Sequence, residues 1–220
     1  MSYRELIVSV RSHVDKLGVP CRYQAGWPLL PWSVTLAERK LGFSLPADLK
    51  DFYREIGNGM RLVWIDETPS RPDIILGGIH VPHLGLLVRH WRERKNGILY
   101  DAAAADRYGF PYTKDPELAK KTAARMWNWL PVLHHENGDE FSLDMECNRQ
   151  AVIFDKHDWL DGGSGDNGFP VANSWRCFFE SWAEHCFQHP KSMYWMDVLT
   201  PSGLDWDSEH FDPRFKIQGK

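Results

Sequence analysis

Apolar residues recur along this chain with two different periods, and the places where one period gives way to the other outline the elements. Leu6, Val10, Val14 and Leu17 follow Ser2-Tyr3-Arg4-Glu5 at helical intervals, the first four residues have capping-box spacing, and Gly18 stops the run, so a helix is predicted over 2–17. Val19–Trp32 holds three prolines and reads as a loop. Ser33 opens a second helix that buries Val34, Ala37 and Leu41 and stops at Gly42. A third begins around Pro46, with Leu49, Phe52, Tyr53 and Ile56 on one stripe and Gly57 at its end. After Asn58-Gly59 the period shortens: Met60–Ile65 reads as a strand, and Ile74–Leu76 and Ile79–Val81 as short strands broken by Gly77-Gly78.

Leu86–Lys95 predicts a helix burying Leu87 and Trp91, Asn96–Pro111 reads as loop, and Asp115-Pro116 starts a further helix through Trp127. The strongest β signal is Leu130–Glu136 and Asp139–Met145 around Asn137-Gly138, a dipeptide suited to a type I′ hairpin. Alternation there predicts a buried face of Phe141, Leu143 and Met145 and a wet face of Ser142, Asp144 and Glu146. Ala151–Phe154 adds a strand. Trp175, Phe178, Phe179, Trp182, Ala183, Cys186 and Phe187 then mark one face of a closing helix over 174–188, ended by His189-Pro190. Helices first, strands next and a helix last is an α+β order without a βαβ series. One domain is expected over 1–220, with a central mixed or antiparallel sheet packed by helices.

Composition narrows the function classes. The 220 residues carry 26 Lys+Arg against 30 Asp+Glu, a formal charge of −4, with 43% hydrophobic and 25% charged residues. That is an ordinary globular balance with enough apolar material for its own core, and its mildly acidic sign argues against direct nucleic-acid binding. No window approaches the roughly 20 apolar residues of a membrane span. The first twenty residues lack a signal-peptide core, and the four cysteines, Cys21, Cys147, Cys177 and Cys186, form no C-x-x-C pair, so a cytoplasmic protein with free thiols is expected. Cys177 and Cys186 fall on opposite faces of the predicted closing helix and cannot bridge.

The search for chemistry finds no constellation. Gly57-Asn58-Gly59 and Gly162–Gly165 do not complete a nucleotide fingerprint, and no nucleophile elbow occurs. His134, His135, Asp139, Glu140 and Asp144 are the densest set of possible metal ligands, but adjacent histidines on a strand point to opposite faces, so no closed site results. His80, His83 and His90 are interrupted by Pro82. Asp155, Asp158 and Asp161 lack the alternating pattern of a calcium loop. No catalytic residue, metal or cofactor is expected.

One stretch is not anonymous. Ala37-Glu38-Arg39-Lys40-Leu41-Gly42-Phe43-Ser44-Leu45-Pro46-Ala47-Asp48-Leu49-Lys50-Asp51-Phe52-Tyr53, with Gly57-Asn58-Gly59, resembles the amino-terminal signature of the SUKH (Smi/Knr-type) superfamily. Leu130-Pro131-Val132 followed by Asn137–Asp144, then Ala151–Phe154 and the aromatic helix, resembles the remainder of that pattern, covering about 33–188. Asn96–Met126 is longer than the family's usual connection, and 190–220 extends past its core. The resemblance implies an α+β domain and, for the bacterial members, an immunity protein that binds and neutralises a toxin, often a nuclease. It also leaves a regulatory protein-interaction scaffold as an alternative, with a small metal-dependent hydrolase behind it.

An immunity protein needs a contact surface. Between Ser192 and Pro213 there is no Lys or Arg, while Asp197, Asp205, Asp207, Glu209 and Asp212 are acidic, and the loop 155–168 is acidic too. Of the eleven tryptophans, those in periodic segments read as packing, whereas Trp159 and Trp206 lie in acidic loops. Asp158, Trp159, Asp161, Asp205, Trp206 and Asp207 are therefore the expected partner-binding residues, facing a basic protein toxin.

Overall fold

The first helix forms as its capping box dictates: the Ser2 hydroxyl accepts from the Glu5 N–H at 3.2 Å, and the Glu5 carboxylate accepts from the Ser2 N–H at 2.6 Å. The computed structural model describes residues 1–67, 74–108, 124–134, 139–146, 150–155 and 168–217, with the backbone path alone over 98–108. The elements are α1 (Tyr3–Lys16), β1 (Cys21–Ala25), α2 (Ser33–Leu41), α3 (Ala47–Ile56), β2 (Met60–Asp66), β3 (Ile75–Val81), α4 (Leu84–Tyr108), β4 (Trp129–His134), β5 (Glu140–Asp144), β6 (Val152–Asp155), β7 (Phe169–Ala172), α5 (Trp175–Glu184), β8 (Leu199–Thr200) and β9 (Gly203–Leu204). The strands form antiparallel sheets in the orders β1-β2-β3, β4-β5-β6-β7 and β8-β9. This is a single-domain α+β fold, and residues of both larger sheets, of the helices α1 to α5 and of the carboxy-terminal segment share one apolar core among the described residues.

Two elements differ from the sequence expectation near the amino end. Residues 21–25 are a strand, not loop: Cys21–Ala25 pairs with Trp64 back to Met60 at the open edge of the sheet, which is why its composition is half polar. The strand at 75–81 is continuous through Gly77-Gly78. Trp64 stands opposite Gly77, and a Cβ on Gly77 would come within 2.1 Å of its indole ring. The glycine makes room for a neighbouring strand's tryptophan.

The Trp64 indole N–H donates to the Cys186 carbonyl at 2.8 Å. Here the closing helix also departs from expectation, because α5 ends at Glu184 and both Cys186 and Phe187 take left-handed backbone angles, φ 52 and 55. That double turn lays 187–189 along β3, with the Gly78 N–H donating to Phe187 O and the His189 N–H to Leu76 O. Trp175, Phe178, Phe179 and Trp182 of α5 are fully buried, as the apolar stripe predicts. Cys21, Cys177 and Cys186 are free thiols.

The middle of the chain is more helical than its composition suggests. α4 runs on to Tyr108 instead of stopping at Lys95, its first N–H caught by the Asn58 side chain at 2.8 Å. The start predicted at Asp115-Pro116 and the Asn137-Gly138 turn lie outside the described residues; 124–126 are helical. Ser142 is fully buried, not wet, because α4 crosses toward that face of β5 and its Arg94 reaches Glu140 and Asp155. Asp144 is half-buried and Glu146 exposed.

The segment after Pro190 belongs to the body of the fold. Trp195, Val198, Phe211 and Phe215 are buried, and Phe215 stacks on Trp64 at 4.2 Å between centroids. Arg214 ties the segment down: its guanidinium reaches Asp66 at 2.6 Å and Asp212 at 3.1 Å, and its carbonyl meets His13 Nε2 of α1 at 2.8 Å.

Candidate functional site

The carboxy-terminal acidic run divides into internal and external parts. Asp212, expected at the surface, is buried beneath Arg214 and serves the fold. Asp197, Asp205, Asp207 and Glu209 are exposed. Asp205 accepts the Asp207 N–H at 3.1 Å, which fixes the turn between them, and Asp207 pairs with Lys216 at 2.5 Å. That hydrogen bond and charge hold the Asp207 carboxyl below the usual range. Trp206 is half-buried: one face lies on His185, with centroids 5.2 Å and planes 16° apart, and Phe211 is 5.4 Å away. The structure thus brings Asp205, Trp206 and Asp207 together as an acidic turn around a partly open indole. Asp158, Trp159 and Asp161 lie outside the described residues.

The two histidine groups of the sequence meet in space. His90 of α4 and His134 of β4 touch through Nδ1 and Nε2, and Nδ1 of His134 lies 2.5 Å from Glu140 Oε1. Arg94 carries the chain of contacts from Glu140 to Asp155. Burial pushes Glu140 up, but the His134 hydrogen bond and the charges of Arg94 and His134 outweigh it and hold the carboxyl low. Burial, and then His134, push His90 down. The arrangement is a polar rivet between α4 and the sheet. No group of three metal-ligating side chains occurs among the described residues, and His135 lies outside them.

A feature the sequence reading passed over lies before α2. Gly26–Trp32 projects Trp27 (86% exposed), Leu30 and Trp32 (61% exposed) into solvent, and Leu36 of α2 extends the patch. Its backbone is fixed: the Gly26 N–H donates to Gly59 O at 2.7 Å, and the Asn58 N–H to Trp27 O at 2.8 Å. Beside it, a cleft of about 460 Å³ opens between α2 and α4, with Leu36, Ala37 and Val88 along it and Lys40, Arg89 and Arg92 around it. The signal available beforehand was Trp27-Pro28-Leu29-Leu30-Pro31-Trp32, an apolar run outside any periodic element.

An α+β domain with a helical amino end, two antiparallel sheets and an aromatic closing helix defines the class. The model of the SMI1 / KNR4 family (SUKH-1) matches residues 28–181, and the chain belongs to this family. The match extends from the exposed Trp27–Trp32 loop to α5 and leaves α1 and the Arg214-bound segment outside it. No curated protein matches the sequence.

Proposed function

We propose that the chain is a non-enzymatic immunity protein of the SUKH type, which binds a protein toxin and blocks it. Family membership over 28–181 carries this reading. The exposed carboxylates of Asp197, Asp205, Asp207 and Glu209 support a basic toxin surface as the partner, the charge distribution of a nuclease groove being complementary to them. Trp206 is the anchor, with its packed face holding the indole in place and its free edge offered to the partner. Asp158, Trp159 and Asp161 are assigned to toxin contact from their charge and indole in the sequence alone.

The test uses the toxin encoded next to this gene. Co-expression of the chain should restore growth to cells making that toxin, and the purified pair should associate more slowly as salt rises. Asp205→Asn with Asp207→Asn should lower the association rate severalfold, while Trp206→Ala should raise the dissociation rate by about fivefold or more. Unrestored growth with the wild-type chain defeats the immunity reading. Full protection and salt-independent binding by both variants defeats the acidic turn as the contact.

A further inference from the structure

The side chains of Trp27, Leu30, Trp32 and Leu36 stand outside the apolar core. Trp27, Leu30, Trp32 and Leu36 are all among the exposed large apolar residues of a chain whose other described tryptophans are mostly buried. Several large apolar side chains exposed within ten residues mark an interaction site, and tryptophan is among the side chains most enriched where binding energy concentrates. Trp32 also occupies the N-cap position of α2, with no side-chain hydrogen bond to the helix, where Ser, Thr or Asp would stabilise it. The loop is already ordered. Its bonds to Asn58 and Gly59, and the Ser33 N–H donating to Leu30 O at 2.9 Å, fix the backbone that carries the indoles before any partner arrives, which removes the backbone part of the ordering cost of binding.

Charge selects the occupant. The cleft beside the patch has three cations, Lys40, Arg89 and Arg92, against the single carboxylate of Glu93, which is already held by Arg89 at 2.9 Å. This local positive excess stands on a chain of formal charge −4. The geometry points to a second docking surface, Trp27–Leu36 with the α2–α4 cleft, for an acidic peptide segment of another protein. In that segment an aromatic or aliphatic side chain enters beside Trp32 and Leu36, and flanking carboxylates meet Lys40 and Arg92. None of the residues lining the cleft belongs to the acidic turn at Asp205–Asp207, so the surface is separate from the one assigned to a basic toxin.

The probe is a displayed library of random peptides selected on the full-length chain alone, and the Trp27→Ala/Trp32→Ala variant is kept for measuring the selected peptides. Selected peptides should carry Asp or Glu beside apolar anchors, bind more weakly as salt rises, and lose about tenfold or more affinity on that variant. Lys40→Glu with Arg92→Glu, which leaves the indoles intact, should abolish capture of those peptides and favour basic ones. Basic or uncharged consensus peptides, or acidic peptides indifferent to all four substitutions, would overturn the proposal. So would self-association in sedimentation that Trp27→Ala/Trp32→Ala removes, since the occupant would then be a second copy. Toxin protection by the double-tryptophan variant is measured alongside: it persists if only the peptide surface is lost, and it is missing from the wild-type chain if the immunity reading itself fails.

Discussion

Trp64 and Gly77 face each other across β2 and β3, and the indole fills the space a side chain at 77 would need. Gly77→Ala should therefore destabilise the protein by about 1–3 kcal/mol or more, as overpacking does. Gly97 is the converse case. It sits exposed in α4 with open space where a Cβ would go, so Gly97→Ala should stabilise by about 0.5–1 kcal/mol through helix propensity. Urea unfolding midpoints of the two variants would separate these effects, and equal shifts would defeat the packing account. The same pair explains a misreading from sequence. Two consecutive glycines look like a break in a strand, because the reasons for them lie on another strand: Trp64 against Gly77 and the Leu62 carbonyl against Gly78. Asp212 is similar: its charge reads as surface until Arg214, itself held by the distant Asp66, closes over it.

At the level of elements, helices with a single apolar stripe were legible to within a residue or two, since the stripe and its stop signals are local. The carboxyl end of α5 was not. Cys186 and Phe187 continue the helical spacing, yet they reach the core through left-handed turns, so burial preserved a period that the backbone had abandoned. β1 was hidden by the prolines around it and by the polar side chains of an edge strand. The reach of α4 to Tyr108 was hidden by a composition poor in apolar stripe. The line His90–His134–Glu140–Arg94–Asp155 was present only as scattered residues, and it makes the docking of α4 sensitive to pH. His90, His80 and His185 are all pushed down, chiefly by burial, so the unfolded chain takes up protons first as pH falls through about 6.5. Glu140, held low, contributes stability above its unfolded value of about 4.3, and that contribution is lost as pH falls through its folded one. Both signs agree. The urea midpoint should drop from about pH 7 to about pH 5 and again below, and His90→Gln should flatten the first part of that fall. A flat profile over the upper range would show that the histidines titrate alike in both states.

For the molecule as a whole, the fold class was readable because element order is a property of the chain, whereas the surface was not, because exposure is decided by what each element is packed against. The acidic turn was anticipated from charge alone. Trp27 and Trp32 were passed over because a tryptophan count cannot distinguish core from contact. The core also has a way of reporting on itself. The Cys186 thiol is fully buried, and burial pushes it up to about 12, so in the native state it offers almost no thiolate. Cys177 is exposed on α5. In a Cys21→Ser/Cys147→Ser background, an alkylating reagent should modify Cys177 at once and Cys186 only when the turn at 186–189 lifts away from β3 and Trp64. The slow second labelling then times the opening of the core under native conditions, and Gly77→Ala should shorten it. A sulfur atom buried in the turn whose carbonyl Trp64 holds becomes a chemical clock for the core.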